Sequence, residues 1–382
     1  MGSIIPLKIN SIIMKHSSFI CFLIPGMFSA LASYPASSQD STNVFGFDHS
    51  RVKPVIQVFG NFEYNPTRDV SKDYSFWFGR AHLGLQYQFN KNWSAKIIID
   101  RGKPTTVGRI SVTDSAGNAF LVSNTSKEGA MNTMFLKFAS LQWKVNDHLT
   151  LEGGAILQNH YITQEKFWGY RFVAETFQDR YYGIPSSDLG MIAYYKFSQK
   201  IGIDVALTNG EGPRIDQDNN GSIKTAAGID FTPDDHLIAR IYYHHNASGV
   251  PGRNTAEQLY SVFAGYRLKD IFRLGGEFAR VEGYKNYENF ASWGYSLYGS
   301  LSANKTTSIF LRFDRLLFHV PDHLTVDLPA TGNVYIGGIA FTPVQGITLS
   351  LNYQGFDFDV PAKQTQHRLL ASFEYKFSLL SD

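Results

Sequence analysis

From about residue 53 to the end, apolar and polar positions alternate with a period of two through short runs that read as 16 β-strands. In the run 74–89, Trp77, Ala81, Leu83, Leu85, Tyr87 and Phe89 fall on one face, and Arg80, His82, Gln86 and Gln88 on the other. Near 92–101, Trp93, Ala95, Ile97 and Ile99 oppose Ser94, Lys96 and Asp100. The run 131–145 breaks phase around Phe138-Ala139, which predicts a β-bulge that keeps Lys137 off the apolar face.

The gaps between the runs alternate between long and short. Short gaps centre on Asn90-Lys91, Asn146-Asp147, Ser198-Gln199, Pro233-Asp234, Lys269-Asp270, Ala303-Asn304 and Pro343-Val344-Gln345. Long gaps fall at 65–73, 102–130, 158–186, 209–222, 247–255, 282–290, 316–331 and 356–365. An up-and-down barrel that crosses an outer membrane has tight turns on one rim and long loops on the other. The pattern therefore predicts an all-β fold, a transmembrane up-and-down antiparallel β-barrel of 16 strands spanning 53–377. Aromatic residues Phe89, Trp93, Trp143, Phe197, Phe231, Phe341 and Phe377 sit beside the short turns, where a membrane-interface girdle belongs.

The N-terminus has Lys8 and Lys15, then Phe19-Ile20-Cys21-Phe22-Leu23-Ile24, then Ala30-Leu31-Ala32. This is the layout of a signal peptide, 1–32, with cleavage as late as 38 and translation from Met1 or Met14. A short extension, 33–52, then precedes the barrel and leaves too little chain for a plug domain; 378–382 is a C-terminal tail. Cys21 is the one cysteine, so the exported chain would carry neither a disulfide nor a thiolate nucleophile. Loss of Lys8 and Lys15 reduces 35 basic residues to 33, against 33 acidic ones, so no overall field points to nucleic acid.

Charges on the polar face belong in water, because a charge facing lipid at mid-membrane costs about 2–4 kcal/mol. The phase makes Arg80, Lys96, Arg240, Arg267, Arg273, Arg312, Arg368, Asp100, Glu152, Glu277 and Asp314 pore-lining candidates. A barrel of this size holds an aqueous channel rather than a packed core. The third long gap is rich in aromatics, Phe167, Trp168, Tyr170, Phe172, Phe177, Tyr181 and Tyr182 among them. A solvated loop has little use for them, so 158–186 is expected to fold inward and narrow the pore. Lys166, Arg171, Glu175, Asp179 and Arg180 would then set ion preference at the constriction.

The segments Gln164 to Arg171, Phe177-Gln178-Asp179, Asn209-Gly210-Glu211-Gly212 and Asn352-Tyr353-Gln354-Gly355 resemble those of porins in the phosphate-selective porin O and P-like group, in the branch common in Bacteroidetes. Phe78-Gly79-Arg80-Ala81 and Asn92-Trp93-Ser94-Ala95-Lys96 fit the same resemblance, which covers roughly 53–377. It implies a 16-stranded trimeric barrel with the third loop folded inward. Phosphate selectivity does not follow automatically, since basic and acidic residues mix on the polar face and in the loop; a mild anion preference is the expectation. Asp216, Asp218 and Asn220 offer a weak Ca²⁺ candidate, whose motif calls for Glu where Ala227 stands. Adjacent His244 and His245 on a strand point to opposite faces and chelate poorly. No cofactor and no catalytic group are implied. The reading is an outer-membrane porin of a Gram-negative bacterium, with the lipid bilayer, small hydrophilic solutes and ions, and a homotrimer as its partners. A non-pore adhesin or structural barrel, or a barrel hydrolase, is the rival.

Overall fold

Strand ends in this chain are set by the residues that follow them. In four short turns one Asn or Asp side chain caps the backbone. Asn90 Oδ1 accepts from the Asn92 and Trp93 N–H groups, and Asn146 Oδ1 from His148 and Leu149, all within 2.8–3.0 Å. Asp234 and Asn304 repeat the device, and Ser198 Oγ does so at 3.1–3.2 Å. Such a side chain imitates a backbone turn and satisfies two donors as the chain reverses.

The computed structural model describes residues 49–67, 73–101, 109–113, 119–123, 134–212, 221–247, 255–321, 331–359 and 363–378; for 49, 109–113, 119–123 and 378 it describes the backbone alone. The expected signal peptide, nearly all of the extension and the Ca²⁺ candidate Asp216, Asp218 and Asn220 lie outside the described residues. Residues 50–382 form a unit of their own. Its strands are β1 (Val52–Tyr64), β2 (Tyr74–Gln88), β3 (Trp93–Arg101), β4 (Arg109–Thr113), β5 (Ala119–Ser123), β6 (Met134–Lys144), β7 (Leu149–Leu157), β8 (Ser187–Lys196) and β9 (Ile201–Thr208). They continue with β10 (Lys224–Phe231), β11 (Leu237–Asn246), β12 (Glu257–Leu268), β13 (Phe272–Glu282), β14 (Ala291–Ser302), β15 (Thr307–His319), β16 (Gly332–Val344), β17 (Ile347–Phe358) and β18 (Gln366–Ser378). Two helices, α1 (Ile162–Trp168) and α2 (Phe177–Tyr181), lie in the third long gap.

Sixteen strands pair antiparallel with their sequence neighbours, and β1 pairs with β18 to close the barrel. The hairpin β4–β5 is a separate two-stranded sheet within the second long gap. Antiparallel succession puts every short turn on one rim and every long connection on the other. The two faces of the wall differ as the alternation requires. On β14, Trp293, Leu297 and Leu301 are exposed, while the intervening Ser292, Ser296 and Tyr298 are buried inside. Near the short-turn rim Trp93 stacks on Trp143 across β3–β6, ring centroids 5.2 Å apart and nearly parallel. Phe89, Trp143, Phe197, Phe231, Phe341 and Phe377 are likewise exposed there.

Two irregularities re-aim side chains. On β6 the pairing slips between Ile98 and Ile99, so Lys137 is the extra residue, one position before the expected phase break. Its Nζ donates to Ser186 Oγ at 2.5 Å. On β2 the pairing slips between Phe59 and Gly60, making Gly79 the extra residue. This corrects the reading of Trp77. Simple alternation puts it on the apolar face with Ala81 and Leu83, but the bulge reverses the phase, and Trp77 lies opposite Asn61 on the inward face.

The buried core is built from residues 158–186 and the inward faces of strands around the wall. Phe167, Trp168, Tyr170, Phe172, Phe177, Tyr181 and Tyr182 cluster with Phe59, Tyr242, Leu259, Phe263, Tyr298 and Phe310.

Candidate functional site

The segment 158–186 has a defined backbone. Helix α1 ends at Gly169, whose left-handed φ of 75° suits glycine, and its N–H bonds Glu165 O. A turn follows, closed by Val173 N–H to Tyr170 O, and Trp168 Nε1 donates to Ala174 O at 3.0 Å. Its base is fixed by Gln158, whose amide donates to Asp188 and Thr208, while Asp188 accepts from the Gly210 and Gly212 N–H groups. That is the structural part played by Asn209-Gly210-Glu211-Gly212.

Polar side chains of the wall then hold the segment along its length. Arg240 donates to Asn159 O, and Thr163 to Asp230 Oδ1 at 2.8 Å. Arg273 donates to Phe167 O, and the Phe177 N–H to Glu277 Oε1 at 3.1 Å. Tyr181 donates to Asp314 at 2.8 Å and Tyr182 to Ala279 O at 3.0 Å. Arg312 donates to Glu175 O, and Gln354 to Val173 O. Between them these partners belong to β10, β11, β13, β15 and β17, and Phe172 adds β1 through Phe59, ring centroids 6.4 Å apart. The wall also makes room: a Cβ on Gly265 would lie 2.6 Å from the Phe167 ring, and one on Gly294 2.4 Å from Phe177.

Several expected lining residues are therefore not lining. Arg312 and Asp314 form a fully buried pair at 2.7 Å, and Arg240 bridges Asp204 and Asp230 at 2.8 and 2.7 Å. With Glu277, Arg312 and Asp314 are buried anchors of the segment, a correction to their reading as pore-lining charges, whereas Arg240 both anchors Asn159 O and borders a cavity. Arg273 is an anchor too, through Phe167 O. Arg267 faces inward but sits at the short-turn rim, exposed and bonded to Asp235 O.

The remaining candidates lie on β18 (Arg368), β2 (Arg80), β3 (Lys96, Asp100) and β7 (Glu152). Lys96 pairs with Glu152 at 2.7 Å, and Asp100 lies 3.3 Å from His82. In the segment, Arg171 meets three carboxylates: Glu165 and Asp179 at 2.7 Å and Glu175 at 3.3 Å. Arg80 on the wall approaches Glu165 at 3.9 Å. Burial raises the Asp179 carboxyl to about 6 against the pull of Arg171, and the crowding of Glu175 and Glu165 adds to the rise.

Two cavities flank this charge cluster. One of about 530 Å³ is lined by Lys96, Glu152, Lys166, Tyr194, Asp204 and Arg240, among others. The other, about 190 Å³, is lined by Phe59, Asn61, Glu63, Trp77, Arg171, Glu175, Arg180, Gln354 and Arg368. Arg180 donates to Gln354 Oε1, and Arg368 lies 3.4 Å from Glu63. The sequence pattern did not single out Asn61 or Glu63, offered Gln354 only within a resemblance segment, and misplaced Trp77. Among the described residues no group of three or more His, Cys, Asp or Glu could hold a metal ion.

No family model and no curated protein matches the sequence. Solved structures do match. A loop-deletion form of OmpT, an outer membrane protein of Vibrio cholerae, aligns over 85% of this chain and 99% of its own, with 11% identity and a TM-score of 0.58. A mutant Rh. blastica porin aligns over 85% and 100%, with 13% identity and a TM-score of 0.57. The outer membrane channel DcaP of Acinetobacter baumannii aligns over 85% and 97%, with 14% identity and a TM-score of 0.56. The chain thus shares with these proteins the fold, a closed antiparallel barrel of the outer-membrane kind.

Proposed function

We propose that this protein is an outer-membrane porin, a water-filled channel through which small hydrophilic solutes and ions diffuse passively. The observation that carries the reading is the inverted wall: large apolar side chains are exposed around the barrel while charged ones are buried within it. A lipid surround outside favours such exposure of apolar side chains, and the buried charges inside call for polar partners or water. The structural likeness to a porin and to an outer membrane channel supports it. Export by a signal peptide at 1–32, residence in the outer membrane of a Gram-negative cell and assembly as a homotrimer belong to the same proposal.

Within it, residues 158–186 occupy the lumen and set the constriction. A segment can touch β1, β10, β13, β15 and β17 together most simply from within the closed barrel. The aromatic bulk fills the side of β12–β15, which leaves the passage beside the two cavities, from β18 through β1, β2, β3 and β6 to β10. Charges there are largely paired, Lys96 with Glu152 and Arg171 with three acids, so the channel discriminates weakly, with at most a mild anion preference.

The test is the purified protein in planar bilayers with a KCl gradient. Discrete open-channel steps and a reversal potential near zero, leaning toward chloride, are expected. Absence of conductance overturns the porin reading, and clear potassium selectivity overturns the anion preference alone.

A further inference from the structure

The cavity of about 190 Å³ beside β1 and β2 has a composition that transport of ions does not require. Trp77 enters it because Gly79 is an extra residue: Phe59 pairs with Arg80, Gly60 with Phe78 and Asn61 with Trp77. Bulges are used to re-aim side chains at functional places. A Cβ at position 79 would already lie 3.3 Å from Trp77 Cζ3, so glycine also keeps the ring's surroundings open. Other inward aromatics, such as Trp168 and Tyr170, are buried in the core, whereas Trp77 is 40% exposed.

Directly opposite Trp77 stands Asn61, only 3% exposed, and among the described residues neither its amide nitrogen nor its oxygen has a hydrogen-bond partner. An orphaned buried amide costs about 1–3 kcal/mol unless something fills its bonds. Glu63 and Arg368, 3.4 Å apart, place an acceptor and a donor on the same cavity. Two carboxylates, Glu63 and Glu175, face it as well, and the lining Arg171 is already shared with Glu165 and Asp179. Arg180 faces the cavity too, bonded to the neutral Gln354, so three guanidiniums (Arg171, Arg180, Arg368) stand among four carboxylates (Glu63, Glu175, Glu165, Asp179) and the site carries no net positive charge for a phosphate.

We propose that this cavity is a subsite for a sugar. A pyranose has an apolar C–H face, which suits the Trp77 ring, and a rim of hydroxyls that each donate and accept, which suits Asn61, Glu63 and Arg368. An inorganic anion offers neither. The proposal rests on the porin reading and names one class of solute that pauses in the passage.

The test is single-channel current in KCl with glucose, maltose, sorbitol or phosphate added. Glucose and maltose reduce the current in a concentration-dependent, noisy way. Sorbitol has the hydroxyls but no ring face, and acts only through viscosity, as does phosphate. Trp77→Ala raises the half-blocking sugar concentration at least about tenfold, equivalent to about 1.4 kcal/mol. Trp77→Phe keeps part of the block, and Phe76→Ala, on the outward face, keeps all of it. The KCl steps of each variant report that its barrel has assembled. Normal KCl steps without sugar block, block indifferent to Trp77→Ala, or block by phosphate instead of sugar would each overturn the subsite. Absence of any KCl current overturns it together with the porin reading.

Discussion

Two arcs of the same barrel wall carry the same alternation and do different work. Along β11–β15 the inward side chains are aromatics, glycines and buried ion pairs, closed against residues 158–186. On the arc from β18 through β1, β2, β3 and β6 to β7, charged and amide groups stand beside cavities, and the bulges at Gly79 and Lys137 lie on it. Both arcs turn their polar face inward, so the difference arises from what packs against each. An ionic side chain inward on one arc is a clamp; on the other, in the proposed porin, it faces the passage.

The largest break in that contrast comes from the clamp. Arg312→Leu leaves Asp314 charged with, among the described residues, only the Tyr181 hydroxyl as partner and frees Glu175 O, and losing one member of a buried pair costs about 3–5 kcal/mol. Thermal unfolding followed by circular dichroism is expected to show a clear drop. Lys96→Met on the open arc, where the side chain is partly exposed, costs much less.

A second difference is read in pH. Asp179 has its carboxyl at about 6, above its ordinary value, so it is protonated as pH falls through 6 and the lumen loses one negative charge. Its raised value also means that the penalty of burying the charge is present above pH 6 and relieved below. Reversal potentials are expected to shift toward chloride between pH 7 and 5, and Asp179→Asn to show the acid value throughout.

Smaller effects lie on the rim shared by both arcs. Trp143→Ala removes the stack on Trp93 and is expected to cost about 0.5–1.5 kcal/mol beyond lost area. Asn146→Ala removes an acceptor for two turn N–H groups, an effect of about 1 kcal/mol, measured by the unfolding midpoint.

Much of the wall was legible in the sequence because side chains on a strand have a fixed period and turns have fixed chemistry. Asn90, Asn146, Asp234 and Asn304 mark reversals by the bonds they make. Trp77 was not legible, since its face depends on pairing with β1: one extra residue at Gly79 inverts every position beyond it. The anchoring role of Arg240, Glu277, Arg312 and Asp314 was equally hidden. Alternation says which way a side chain points, but not whether water or another segment meets it there. Gly265 and Gly294 were a usable signal, since inward glycines opposite an aromatic-rich loop leave room for its rings.

The central proposal is that residues 158–186 lie in the lumen and limit what passes. Single-channel conductance in KCl, measured after replacing residues 160–183 by a short Gly/Ser link, tests it most directly. A several-fold larger step with ion preference nearly lost is the predicted result. A step equal to that of the intact protein would contradict it.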